Sequence, residues 1–103
     1  MSVAPVLAAL GDESRLRIVS KLCTSGPQSI TRLTQGTDIT RQAITKHLLA
    51  LHEAGLVRSE RRGRENVWQL EPRRLDEVLQ YLQQISQQWD AAIGRLKAMV
   101  EHD

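Results

Sequence analysis

Hydrophobic residues near the start of the chain recur at helical spacing and predict two helices. The first helix is short and ends near Gly11; its apolar residues are Val6, Leu7 and Leu10. Asp12 is placed to cap a second helix, which stops at the Ser-Gly-Pro segment of residues 25–27. Steps of mostly three residues along this second helix predict one buried face, formed by Leu16, Val19, Leu22 and Cys23.

The next two predicted helices have the arrangement of a helix-turn-helix. Ser29 is placed to cap a short third helix that turns Ile30 and Leu33 inward, and Gly36 ends it. Thr40 is placed to cap a fourth helix over about 40–54, with Ile44, Leu48 and Leu51 facing inward. Its outward face is polar and carries Arg41, Gln42, Thr45 and Lys46. Two helices joined by a few residues, the second polar on its outer face, indicate a helix-turn-helix.

Beyond residue 55 the pattern changes to that of a β-hairpin. Residues 56–61 and 66–70 read as two short strands about a turn that contains Gly63, which together predict a wing over about 56–70. Pro72 then suits the first turn of a last helix. Apolar residues follow at alternating steps of three and four, at Leu75, Val78, Leu82, Ile85, Trp89, Ala92, Leu96 and Met99.

This last helix is predicted to be longer than the domain that carries it. About 30 residues at ~1.5 Å each give roughly 45 Å of helix. Packing on its own domain is one interpretation of the apolar seam, and pairing with a second copy explains the length better. The predicted fold is therefore mostly α with a small β-hairpin, a winged helix-turn-helix of five helices, a two-stranded wing and a long C-terminal dimerisation helix. Residues 1–103 are expected to form a single domain.

Composition and charge narrow the class of protein. The chain has no Phe, so its core must be aliphatic, and no apolar run reaches the ~18 residues of a membrane span. One cysteine and no basic leader favour a cytoplasmic protein without a membrane partner. The net charge is only +2, but Arg58, Arg61, Arg62 and Arg64 fall within seven residues. This distribution predicts a basic tip on the hairpin.

Three segments, in this order, resemble the ArsR family of winged-helix repressors. Residues 10–18 resemble the entry to the family's second helix, residues 40–57 its recognition helix and exit, and residues 61–70 its wing. The resemblance implies a homodimer, joined through its first and last helices, that binds a palindromic operator in double-stranded DNA and usually blocks transcription. The dimer contacts expected on this basis are Leu7, Leu82, Ile85, Trp89 and Leu96.

The start of the recognition helix and the tip of the wing are the candidate DNA contacts. In this docking mode the first residues of the recognition helix meet base edges in the major groove. Arg41 suits guanine and Gln42 suits adenine, and the same stretch also offers Thr40, Thr45 and Lys46. Arg62 and Arg64 flank the turn glycine, where they can reach phosphates or the minor groove.

No metal, cofactor or catalytic residue is expected. Ser29 and Thr31 stand where the thiol-type branch of the family has its cysteine pair, and the last helix offers only His102. Residues 89–97 resemble a branch of the family without a metal site.

The histidines of the fourth helix, Trp68 and Cys23 are expected to have structural roles and no catalytic or metal-binding role. His47 and His52 lie on different helix faces, which argues against a shared metal or acid-base site. The resemblance to the family implies that His47 packs or contacts backbone. Trp68 is expected in the core, and Cys23 is expected to be an inert core cysteine, with a redox or thiol sensor as the alternative. The sequence contains no nucleophile paired with a base and no phosphate-binding loop, so an enzymatic function is not expected. A winged-helix protein-interaction adaptor that does not bind DNA remains the alternative function.

Overall fold

Within residues 2–101, five α-helices and three short β-strands build the fold. The computed structural model describes residues 2–101. In chain order the elements are α1 (Ala4–Leu10), α2 (Glu13–Ser25), β1 (Gln28–Ser29), α3 (Ile30–Thr34), α4 (Arg41–Glu53), β2 (Val57–Arg62), β3 (Glu65–Leu70) and α5 (Pro72–Glu101). This order confirms the mostly helical winged helix-turn-helix and its long last helix.

Side chains at the predicted caps begin three of the helices. Asp12, Ser29 and Thr40 each accept a hydrogen bond from the backbone amide three residues on, at 3.1, 3.2 and 3.1 Å. Such bonds satisfy amides that have no partner inside the first helical turn. The Arg15 amide that bonds the Asp12 carboxylate lowers the pKa of Asp12 below its ordinary value. All three predicted caps are confirmed.

The sheet has one strand more than the two-stranded wing predicted from the sequence. Strands β2 and β3 form the hairpin, with Val57 opposite Leu70, and its turn places Gly63 at φ +63°. The short β1 pairs antiparallel with β3, with Gln28 opposite Trp68. The prediction missed β1 because two residues are too few to show a period. This pairing attaches the wing to the start of α3.

The core lies between α4, the helices that pack on it and the base of the hairpin. Its fully buried side chains are Val6, Ile44, Leu48, Leu51 and Leu56. The inward face predicted for α4 is therefore confirmed. Trp68 is also buried in this cluster, as predicted.

The buried face predicted for α2 is partly wrong. Ile18 and Leu22 are its buried residues, whereas Leu16 and Cys23 are exposed. At 100° per residue Leu16 lies about 160° around the helix from Ile18, so the predicted set mixed two faces. The expectation that Cys23 is a core cysteine is wrong for the same reason.

Helix α5 leaves the domain after its first two turns. Arg74 and Val78 are its buried residues, and Leu75 is partly buried. The radius of gyration is 18.3 Å, against about 13 Å for a compact domain of about 100 residues. Most of α5 therefore projects from the core. Among residues 2–101, no helix is both long and apolar enough to cross a bilayer.

Candidate nucleic-acid interface

The first turns of α4 present polar side chains on the side opposite the core. Ile44 and Leu48 anchor one side of this helix in the core. The opposite side exposes Arg41, Gln42 and Lys46, while Thr45 is half-buried. Gln42 and Lys46 make no side-chain hydrogen bond to other residues in the described range 2–101. Their donors and acceptors are therefore free to meet a ligand from solvent.

Three of the predicted contact residues are held by hydrogen bonds to their neighbours. Arg41 Nη1 donates to Thr31 Oγ1 of α3 at 2.8 Å. Thr45 Oγ1 donates to the Arg41 carbonyl oxygen at 2.8 Å, so the Thr45 hydroxyl is occupied and its methyl group remains. Thr40 uses its hydroxyl as the cap of α4. The guanidinium of Arg41 is therefore oriented towards the gap between α3 and the wing.

The tip of the wing meets the recognition helix at a shallow cavity. This cavity has a volume of about 200 Å³ and is lined by Ser29, Ile30, Thr31, Arg41, Arg64, Glu65 and Asn66. The structure thus brings Arg64 and Arg41 to the same concavity, although they lie 23 positions apart in the sequence. Arg41 and Arg64 both line this cavity, with Glu65 beside them, and guanidinium groups are well suited to bind a phosphate.

Arg62 and the other wing arginines are placed differently from Arg64. Arg62 Nη2 pairs with Glu60 at 3.4 Å, and both side chains are exposed. An exposed pair of this kind contributes little stability, so Arg62 can exchange its partner for a phosphate. Arg58 pairs with Glu71 at 3.3 Å at the base of the wing. Arg61 Nε donates to the carbonyl oxygen of the turn glycine.

Polar contacts from α2 hold the two helices of the helix-turn-helix in place. Lys21 Nζ of α2 donates to the carbonyl oxygens of Arg32 and Gln35, at 2.9 and 3.4 Å, and so closes the end of α3. Arg15 Nε donates to His47 Nδ1 of α4 at 3.3 Å. His47 therefore contacts a side chain of α2, and this contact positions the recognition helix.

Sequence reasoning missed several residues of this surface. Thr31 stands at one of the expected thiol positions, and its hydroxyl accepts the hydrogen bond that orients Arg41. Asn66 lines the cavity that Arg41 and Arg64 also line. Lys21 donates a hydrogen bond to the Arg32 carbonyl oxygen near the end of α3. Their contacts join residues more than nine positions apart. Helical or strand spacing carries no signal for such pairs.

The residues at the expected thiol positions do not fit a soft metal ion. Ser29 Oγ is the cap of α3 and Thr31 Oγ1 is the acceptor for Arg41. Neither hydroxyl replaces a thiolate ligand. No group of three or more His, Cys, Asp or Glu that could hold a metal ion occurs among the described residues. His102 lies outside the described residues.

A second surface, on α5 and α1, is apolar and exposed. The five expected dimer contacts are between 38 and 67 % exposed in the single chain, and they are Leu7, Leu82, Ile85, Trp89 and Leu96. Tyr81 and Val100, which lie outside the predicted apolar seam, are also exposed on α5. An exposed apolar face of this length is typical of an interaction surface.

Comparison with known proteins identifies the family. The family model "Bacterial regulatory protein, arsR family" matches residues 12–59. The solved structure of an ArsR-like transcriptional regulator from Rhodococcus sp. RHA1 is 36 % identical, with a TM-score of 0.78, and the match covers 94 % of this chain and 91 % of that one. The chain belongs to the ArsR family of bacterial regulatory proteins. The family and the fold are those of transcriptional regulators with a winged helix-turn-helix DNA-binding domain.

Two relatives from Bacillus subtilis (strain 168) agree with this assignment. The HTH-type transcriptional regulator YuzN is 40 % identical over 68 residues, 60 % of this chain and 74 % of YuzN. The arsenical resistance operon repressor is 30 % identical over 71 residues, 69 % of this chain and 68 % of the repressor.

A solution structure described as a homodimeric winged helix-turn-helix DNA-binding domain, Mb0332 from Mycobacterium bovis, shares the fold. It is 24 % identical to this ArsR-family chain, with a TM-score of 0.66, and the match covers 82 % of this chain and 78 % of that one.

Proposed function

We propose that this ArsR-family chain is a homodimeric repressor that binds an inverted-repeat operator through α4 and the basic wing. The observation that carries the proposal is the exposed apolar face of α5, which extends from a domain whose recognition helix presents an acid-free face over residues 40–52. Residues 1–103 are proposed to act as one DNA-binding and dimerisation unit. A regulator that binds the bacterial chromosome works in the cytoplasm.

Helix α5 exposes an apolar face that a second copy can cover. Trp89 is 67 % exposed, and at 100° per residue Leu82, Ile85 and Leu96 lie within about 40° of it. Leu7 and Tyr81 line one cavity of about 300 Å³, so α1 adjoins this face and extends it. A second copy presents the same face, and a two-fold axis lets each copy cover the other. The homodimeric description of the Mycobacterium bovis domain supports this arrangement.

Exposed polar side chains at the start of α4 are suited to reading base edges. In a helix-turn-helix complex the recognition helix enters the major groove with its first residues on the base edges. Gln42 can bond adenine through both ends of its amide, and Arg41 can bond guanine. Thr40, Thr45 and Lys46 then lie at the edge of the groove, beside phosphates or a thymine methyl group. Arg62 and Arg64 are proposed as wing contacts to phosphates or the adjoining minor groove.

The proposed effect of operator binding on transcription is repression. A dimer that occupies an operator across a promoter excludes polymerase without any further activity. The relative from Bacillus subtilis that is named an arsenical resistance operon repressor supports this direction of control. In vitro transcription from a promoter that carries the operator measures it: added protein should lower the yield of transcript. A rise in transcript would make the protein an activator.

Selection of bound duplexes from a random DNA pool tests the whole proposal. The two recognition helices of a dimer enter successive major grooves about 34 Å apart. The expected result is therefore an inverted repeat with half-site centres about one helical turn apart. Recovery of a sequence without two-fold symmetry would contradict the dimer geometry. Recovery of no enriched sequence would favour the protein-interaction adaptor.

Matched substitutions separate base reading from phosphate contact. Gln42→Ala should cost about 1 to 3 kcal/mol on the operator and relax the preference at one position of each half-site, because one bidentate contact is lost. Arg64→Ala should weaken binding to operator and scrambled duplex equally, and should lower the salt dependence by about one unit per phosphate contact. Arg62→Ala should behave like Arg64→Ala. Titrations of both duplexes across a salt series measure these effects. Equal losses on both duplexes for Gln42→Ala would make Gln42 a phosphate contact.

A further inference from the structure

Arg74 is a buried charged residue whose three nitrogen groups all have partners. It is 9 % exposed, and it is the one buried charged residue in the described part of the chain. Its Nε donates to the Ala54 carbonyl oxygen at 3.1 Å, its Nη2 to the Ser2 carbonyl oxygen at 2.8 Å, and its Nη1 to Glu77 Oε2 at 2.6 Å. A buried guanidinium is tolerated where its donors are satisfied in this way.

These partners belong to three different parts of the fold. Ala54 is the C-cap residue of the recognition helix α4, whose last carbonyl groups have no partner within the helix. Ser2 precedes α1, and Glu77 lies one turn further along α5. Gly55 completes the site: its φ is +80°, and a Cβ there would lie 3.5 Å from Arg74 Nε. One side chain of α5 therefore joins the end of the recognition helix to the start of the chain.

The rest of α5 offers little else to fix its direction. Arg74 and Val78 are its buried residues, and Leu75 is partly buried. The 23 residues after Val78, at ~1.5 Å each, form a lever of about 35 Å. A small change of angle at the first two turns therefore moves the far end of α5 by several ångströms. The contacts of Arg74 lie at the pivot of this lever.

We propose that Arg74 is a positioning residue that fixes α4 relative to α5 and thereby sets the separation of the two recognition helices in the dimer. The separation in turn determines which spacing of half-sites the protein accepts. This inference rests on the proposed function, because it requires a dimer joined through α5. Arg74 itself does not contact DNA in this arrangement.

The expected loss of operator affinity depends on the fraction of molecules in which α4 and α5 have the arrangement that binds DNA. Without the guanidinium, Ala54 and Ser2 lose the donor that links them to α5, and the angle between α4 and α5 is free to vary. Affinity for an operator falls in proportion to the fraction of molecules in the binding-competent arrangement. A fall of this fraction to about one tenth weakens binding to the preferred spacing about tenfold. Operators with one base pair more or less should then bind nearly as well as the preferred one.

A series of operators with different half-site spacings tests the proposal. Arg74→Met keeps the apolar stem of the side chain and removes its donors. The matched control is Arg73→Met, because Arg73 is the preceding residue of α5 and is exposed. Wild type and Arg73→Met should show one sharp optimum of spacing, and Arg74→Met should show a weaker and flatter profile. A folded, dimeric Arg74→Met protein with the wild-type profile would overturn the inference.

A distance measurement in the absence of DNA tests the same inference independently. Spin labels at Lys46→Cys, in a Cys23→Ser background, report the separation of the two recognition helices. The labelled protein that retains Arg74 should give one narrow distribution of the distance between the two labels. The labelled protein with Arg74→Met should give a broad one. Arg74→Lys, which keeps the charge but cannot reach all three acceptors, replaces Arg74→Met where the methionine variant does not fold, and it should also broaden the distribution.

The outcomes distinguish the two proposals. A wild-type protein that gives no dipolar signal is not a dimer, and this result contradicts the proposed function. A wild-type dimer with a narrow distribution that stays narrow, at the same distance, in a folded Arg74 variant contradicts the positioning role alone. A broad distribution in the Arg74 variant with a narrow one in Arg73→Met supports it.

Discussion

Replacement of Trp89 by alanine should weaken the proposed dimer strongly while leaving the monomer fold intact. A tryptophan side chain offers about 200 Å² to a core or an interface. Because 67 % of Trp89 is exposed in the single chain, roughly 130 Å² is available to the partner. At about 25 cal/mol per Å² this burial stabilises the dimer by about 3 kcal/mol per copy. Because both copies of a homodimer carry the substitution, two such contributions are lost, about 6 kcal/mol in all, which corresponds to a rise of about four powers of ten in the dimer dissociation constant.

Sedimentation equilibrium over a range of protein concentrations measures this constant directly. Gln87→Ala is the matched control, because Gln87 lies about 160° around α5 from Trp89 and has no place in the apolar face. The control should dimerise like the wild type, and circular dichroism should show equal helix content in all three proteins. Equal dissociation constants for Trp89→Ala and the wild type would refute the reasoning. A wild-type protein that is monomeric at micromolar concentration would refute the dimer itself.

Three further predictions follow from individual contacts. Thr31→Val removes the acceptor that orients Arg41, so operator affinity should fall by about 0.5 to 1.5 kcal/mol as the freed side chain loses its rotamers on binding; a titration with unchanged affinity would contradict this. The pKa of Asp12 is lowered in the folded state, so its charge adds stability that is complete above the ordinary value of 3.8 and is lost as the pH falls through the folded-state pKa. Chemical denaturation should accordingly show the wild type to be more stable than Asp12→Asn at neutral pH and the difference to shrink in acid. Zinc, cadmium and arsenite should leave operator affinity unchanged in the same binding assay, since Ser29 and Thr31 supply no thiolate; stoichiometric release from DNA would show a missed ligand set.

The helices and their caps could be predicted from the sequence because the signals are local. Asp12, Ser29 and Thr40 act on amides three residues away, and the side-chain type alone indicates the role. The inner face of α4 was equally accessible, since one period fixes which residues share a side. Once Ile44 and Leu48 are assigned to the core, the outward residues of the candidate DNA surface follow directly.

Contacts between distant parts of the chain could not be predicted in this way. Strand β1 exists because Gln28 meets Trp68 of β3, and two residues carry no pattern of their own. Arg74 reaches Ser2, which is 72 positions away, and its sequence context is an ordinary charged first turn of a helix. On α2 the choice between two apolar faces depended on where α4 and the sheet lie. Spacing restricted the possibilities there, and packing decided among them.

Helix α5 shows why an uninterrupted apolar seam can serve two purposes. Val78 completes the core of its own domain and is buried, whereas Leu82, one turn later, is 47 % exposed. The steps of three and four residues do not change between these positions, because the helix requires the same spacing for either partner. The boundary is determined by where the other elements of the domain end. Arg74 lies on the domain side of that boundary and the long exposed seam lies beyond it, so the first two turns set a direction that the rest of the helix carries to a second copy.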